Sequence, residues 1–161
     1  MNKGLIYMYK LKFAQKLPIS VEESWAFFSQ PTNLLHLTPP HLGFEMLDTE
    51  KNKKIYPGQI ISHLIRPFLK IPIEWTSEIV QVHEPYYFID HQICGPYRFW
   101  HHEHRFNPID KGVEIVDLIH YKLPLGYIGQ FFHFVKVQKE IQTVFSYRKR
   151  KLEELFGKYL Y

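Results

Sequence analysis

The chain has 161 residues, 45% hydrophobic and 22% charged, a balance that suits one folded globular domain and excludes intrinsic disorder. Its net charge of +4 is not gathered into a basic stripe interleaved with aromatic residues, so nucleic-acid binding is not expected. The one cysteine, Cys94, excludes an intramolecular disulfide and a thiolate metal cluster.

Aromatic residues make up 17% of the chain, which points to a ring-rich core or a ring-lined cavity. No run approaches the roughly 18 apolar residues of a membrane span. Met1 to Phe13 lacks the apolar stretch of a secretion signal, so a cytoplasmic location is expected.

The elements follow in order. Leu5 to Leu17 alternates Tyr7, Tyr9, Leu11 and Phe13 with polar residues, which predicts a first strand ended by Pro18. Ser20 and Glu23 form an S-x-x-E capping box, predicting a short helix to about Ser29. Pro31 opens a second short helix that Thr38-Pro39-Pro40 stops. Strands are then predicted over Leu42–Thr49, Gln59–Arg66, Ile71–His83 and Tyr86–Ile93. The next strand enters through the Gly95-Pro96 turn and runs to Phe106, Asn107 to Gly112 makes a turn, and the last strand covers Val113–Leu123. From about Gly129 to Phe156 the apolar period becomes helical, and Gly157 is a suitable stop. The basic run Arg148-Lys149-Arg150-Lys151 reads as a solvated part of that helix, although Arg148 could also cap a polar network beneath it.

This order predicts an α+β fold of the helix-grip kind over residues 1–161, with its core at about 5–157. A curved antiparallel sheet of about seven strands is covered by one long C-terminal helix, and two short helices after the first strand close one end.

Alternation assigns the faces. Arg98, Trp100, His102, His104 and Phe106 fall on one side of their strand; Tyr97, Phe99, His101, Glu103 and Arg105 fall on the other. The neighbouring strands bring Asp90 and Gln92, and Asp117 and Tyr121, to one face each. The expected ligand-binding set is therefore Trp75, Asp90, Gln92, Arg98, Trp100, His102, His104, Asp117 and Tyr121, with Phe131, Phe134 and Phe145 from the helix.

The residues also carry a family resemblance. Trp25-Ala26-Phe27-Phe28, Pro31, Asn33-Leu34 and Thr38-Pro39-Pro40 come first, followed by Pro72, Trp75, Asp90, Gln92 and Gly95-Pro96-Tyr97. Trp100, His102, His104, Phe106, Asp117, Tyr121, Leu123-Pro124-Leu125-Gly126 and Phe145-Ser146-Tyr147-Arg148 complete the series. In this order and spacing the chain resembles the START / Bet v 1-like (SRPBCC) superfamily, and within it a bacterial group of uncharacterised ligand-binding SRPBCC proteins. The resemblance implies the helix-grip fold and a habit of binding lipids, sterols, polyketides or plant metabolites. Some relatives cyclise or hydrolyse, so the fold does not set the function. It carries over no catalytic residue set.

The expectation is a protein that binds a small hydrophobic or amphipathic ligand, lipid-like or aromatic, as a monomer or weak homodimer. Two alternatives stay open. One is an enzyme of cyclase, dehydratase or hydrolase type using His102, His104 and Asp117 as acid–base groups. The other is a protein-interaction module with a filled core. His102-x-His104 with Asp117 has the ligand count of a metal site, and His101, His120 and His133 add further imidazoles. Paired histidines arise readily in a chain with ten of them, so neither metal nor cofactor is expected.

Overall fold

The structure is a computed structural model that describes residues 8–47, 53–68, 70–124 and 136–160. Strand β1 (Tyr9–Leu17) turns Tyr9, Leu11 and Phe13 inward and Lys10 and Lys12 outward. Helix α1 (Val21–Phe28) starts on the full capping box. The Glu23 N–H donates to Ser20 Oγ at 3.1 Å, and the Ser20 N–H donates to Glu23 Oε2 at 3.0 Å. Its buried face carries Val21, Ser24 and Trp25. Helix α2 (Leu34–Leu37) is a single turn that ends at Thr38, which is extended ahead of the prolines.

The strand expected over Leu42–Thr49 is mostly absent. Pro40–Leu42 makes a 3-10 turn closed by Gly43 at φ +51°, and only β2 (Glu45–Met46) pairs with the sheet; residues 48 and 49 lie outside the described residues. The prolines fix φ in the helical range, and the glycine supplies the left-handed residue that ends the turn.

Strands β3 (Ile60–Phe68), β4 (Ile71–His83), β5 (Tyr87–Cys94), β6 (Phe99–Ile109) and β7 (Gly112–Lys122) complete a seven-stranded antiparallel sheet in the order β1-β7-β6-β5-β4-β3-β2. The β6–β7 hairpin is tighter than expected. Asn107 and Pro108 still pair with Glu114 and Val113, so only Asp110 and Lys111 turn the chain, with Lys111 left-handed at φ 53°. Strand β6 also starts later than expected, because residues 95–98 form a bend.

Helix α3 (Gln138–Phe156) lies across the concave face and buries Ile141, Phe145 and Leu152. The predicted helix began nearer Gly129; residues 125–135, with Phe131, His133 and Phe134, lie outside the described residues. Among the described residues no helix is long and apolar enough to cross a membrane.

Two apolar clusters pack between sheet and helices. One holds Leu17, Trp25, Phe88, Phe106, Val113 and Leu152. The other holds Trp100, Ile119, Tyr121, Ile141 and Phe145. On the inner face of β6 Trp100 belongs to the second cluster and Phe106 to the first, and His102 and His104 lie between them. The polar layer is thus fixed by the strand period.

Candidate functional site

Register brings the inner polar groups together. In β6, His102 lies opposite Asp90 of β5, and His104 lies opposite Asp117 of β7. The hydrogen bonds run along the diagonals. His102 Nε2–H donates to Asp117 Oδ1 at 2.8 Å, and His104 Nε2–H donates to Asp90 Oδ2 at 2.9 Å. His104 Nδ1 also comes within 3.1 Å of Asp117 Oδ1, but it is not aligned for a hydrogen bond. His102 Nδ1 is 3.7 Å from Asp90 Oδ2. The two imidazole centres are 3.7 Å apart, and Phe88 stacks on His104 at 4.1 Å. From α3, Arg148 Nη1 reaches to 3.7 Å from Asp117 Oδ1, its guanidinium lying over the Phe145 ring.

Burial sets the charges. It works against both carboxylates, yet the hydrogen bonds from the histidines and their positive field hold Asp90 and Asp117 below the usual carboxylate range. Burial pushes the His102 imidazole down, and the charge on His104 pushes it further. Burial also opposes charge on His104, but Asp117 and Asp90 outweigh it and raise its pKa. The pair therefore holds a proton on His104 in preference to His102. With Arg148 always cationic, two negative and two positive groups balance in a nearly dry layer.

One side of this layer opens into a pocket of about 530 Å³. Asp90, His102 and His104 line it, while Asp117 stands behind the two rings and does not. The wall beside them is aromatic. Trp75 and Trp100 meet edge to face at 5.1 Å, and Tyr97 packs on Trp100 at 4.7 Å and on Trp75 at 5.4 Å. The opposite wall comes from Phe28 of α1, Leu37 of α2 and Ile141, Val144 and Phe145 of α3. At the rim His41 and Glu140 meet at 2.8 Å, tying the turn after α2 to α3.

Neither a protein-family model nor a curated protein matches the sequence. Solved structures do match the fold. A protein of Mycobacterium smegmatis aligns over 91% of this chain and 92% of its own, at TM-score 0.64 and 15% identity. Ara h 8.0201 aligns over 92% of this chain and 99% of its own, at TM-score 0.61 and 11% identity. Norcoclaurine synthase of Thalictrum flavum, solved as a point mutant with a transition-state analogue, aligns over 94% and 98%, at TM-score 0.64 and 13% identity. The fold is Bet v 1-like.

Within this Bet v 1-like fold the expected site residues separate into groups. Trp75, Asp90, Trp100, His102, His104 and Phe145 line the pocket. Asp117 and Tyr121 are buried behind its wall, with Tyr121 stacked on Tyr9 at 5.3 Å. Gln92 is turned to the backbone: its Nε2 donates to the Tyr97 carbonyl at 2.6 Å, and its Oε1 accepts from the Tyr97 N–H at 3.3 Å. Arg98 departs from expectation. It is exposed, because the 95–98 bend precedes β6 and the strand alternation does not extend to it. The same bend reverses Tyr97, expected on the outer face, and puts it in the pocket wall.

Two contributors have weak sequence signals. His63 of β3 lines the pocket and stacks on Trp75 at 5.9 Å, but nothing in the alternation of β3 singles it out. Arg148 is marked by its place on the Phe145–Leu152 face of the helix. Its side chain is 11% exposed, unlike that of its basic neighbours Lys149 and Arg150. On the outer face of the Bet v 1-like sheet, His91, His101 and His120 form one cross-strand row, with His91 Nε2 and His101 Nδ1 2.5 Å apart.

Proposed function

We propose that the protein binds a small apolar or amphipathic molecule in the pocket between the sheet and α3. Its apolar body lies on the Trp75–Tyr97–Trp100 wall, and its polar end meets Asp90, His102 and His104. One observation carries this reading: the 530 Å³ pocket falls within the roughly 300–1,000 Å³ of small-molecule sites, and its walls are mostly apolar and aromatic with polar groups gathered at a few places, Asp90, His102 and His104 among them. An interaction module with a filled interior fits this less well.

The test is native mass spectrometry of freshly purified protein, followed by denaturing extraction. The expected result is an organic mass that stays with the folded chain and leaves on unfolding. A bare mass, together with no saturable uptake of an apolar probe, counts against the reading.

A second reading is favoured by the neutral His102 held at 2.8 Å by Asp117. A carboxylate behind an imidazole fixes its tautomer, and the free His102 Nδ1 is then a base on the pocket side. The norcoclaurine synthase likeness shows that this fold can host an enzyme. Proton transfer to or from the bound molecule is the chemistry this arrangement supports. It predicts solvent deuterium exchange into a bound carbonyl compound that His102→Gln abolishes.

A further inference from the structure

We propose that Asp90, His102 and His104 form a two-histidine, one-carboxylate site for a divalent first-row transition ion in the wall of the pocket. Asp90 Oδ2 lies 2.9 Å from His104 Nε2 and 3.7 Å from His102 Nδ1, and one donor atom from each of the three residues falls within 4.8 Å of the others. An ion with bonds of about 2.0–2.1 Å holds tetrahedral ligands about 3.3 Å apart. These separations scatter on both sides of that value, so small movements of the side chains close the site.

What stands behind the rings argues the same way. Asp117 Oδ1 is 2.8 Å from His102 Nε2 and 3.1 Å from His104 Nδ1. A single carboxylate stands at the rear nitrogen of both imidazoles, bonded to His102 and close to His104, and a carboxylate bonded in this way fixes the tautomer of a metal-bound histidine. It leaves His102 Nδ1 and His104 Nε2 as the donors toward Asp90. Arg148, which also lines the pocket, lies 3.7 Å from Asp117 and balances its charge. An independent sign is that the buried His104 Nδ1 has no aligned hydrogen-bond partner. The ring lies between two carboxylates, and only Asp90 receives a well-formed bond from it. An ion at Nε2 lets Nδ1–H serve Asp117 instead.

The sequence points to Asp117 as the third ligand. The register places it behind the histidines and puts Asp90 in the ligand position. The donors are imidazole and carboxylate with no sulfur, a set suited to zinc or iron(II) rather than to copper(I). Three protein ligands lining a pocket leave the remaining coordination positions to water or to an oxygen of a bound molecule. Asp90, Asp117, Arg148 and the ion leave one excess positive charge, which favours an anionic oxygen there. The site stands whether or not the pocket also holds an organic molecule.

His91 and His101 lie side by side on the outer face, so the test removes them first and starts from the His91→Ala/His101→Ala variant, which leaves the inner face intact. The protein is stripped with chelator, loaded with Zn2+ or Co2+, and passed through a desalting column. One retained ion per chain is expected. Asp117→Asn in that background acts through ring position and should weaken affinity by about tenfold to a hundredfold. Asp90→Asn and His104→Gln should weaken it at least as much, with far-UV circular dichroism confirming the fold. X-ray absorption of the Co2+ form should show two imidazole ligands, and this needs no inner variant to fold. The proposal is overturned if the outer-row variant retains no ion, if folded Asp90→Asn and His104→Gln bind as tightly as their parent, or if the absorption shows fewer than two imidazoles.

Discussion

His102 and Asp117 are bonded at 2.8 Å although they are not opposite each other in the sheet. The β6–β7 register sets His102 against Ile119 and His104 against Asp117. On the other side of β6, Asp90 lies opposite His102 yet accepts from His104 at 2.9 Å. Diagonal neighbours in an antiparallel pair are within reach of long side chains. Two such diagonals, on either side of one strand, tie β5, β6 and β7 into a single buried network. Loss of any member therefore strands the others.

Asp117→Asn should destabilise the protein by about 3 kcal/mol, because it leaves His104 and Arg148 charged and underpaired in a buried layer. Urea unfolding at neutral pH measures this. Glu154→Gln, which breaks the exposed 2.6 Å pair with Lys151, is the control and should leave the midpoint unchanged. Equal effects from the two variants would mean the inner network does not hold the sheet.

Phe145→Ala should lower stability by about 3–5 kcal/mol. The Phe145 ring lies flat on Phe13 at 3.9 Å with an interplanar angle of 2°, and it carries the Arg148 guanidinium on the way to Asp117. Thermal unfolding reports the loss. A change below about 1 kcal/mol would show that α3 is seated by other contacts.

Gly95→Ala should loosen the pocket wall with a modest loss of stability, about 1–2 kcal/mol. A Cβ at Gly95 would stand 2.5 Å from Gln92 Oε1, the amide that pins Tyr97. Affinity for an apolar fluorescent probe should fall severalfold. Gln92→Ala should do the same, and the double variant should be no worse than either. Additive losses would separate the bend from the wall.

The inner face of β6 is legible because the strand keeps strict alternation from Phe99 to Asn107. Trp100, His102, His104 and Phe106 are buried as the period requires. The capping box of α1 and the apolar face of α3 are legible for the same reason, since each depends on residues close in sequence. Register is not local. Nothing in the spacing tells that Asp90 sits in front of the histidines and Asp117 behind them, because alternation gives a face and not a partner. Arg98 and Tyr97 fall on unexpected faces because the Gln92 amide, five residues before Tyr97, organises a bend that strand alternation does not foresee. The strand expected from Leu42 gives way to the Pro40–Leu42 turn and Gly43. Arg148 is visible on its helix face, but only the docking of α3 decides that it reaches Asp117.

Whether the pocket takes a small apolar molecule is read from a probe titration of the wild type beside Val144→Trp. Val144 is half-buried on α3 and lines the pocket, so an indole there takes up pocket space from the helix side. With 1-anilinonaphthalene-8-sulfonate the wild type should saturate at one probe per chain. The folded Val144→Trp variant should bind at least about tenfold more weakly, the effect of about 1.4 kcal/mol or more. No saturable binding by the wild type, or equal binding by both proteins, would contradict the account.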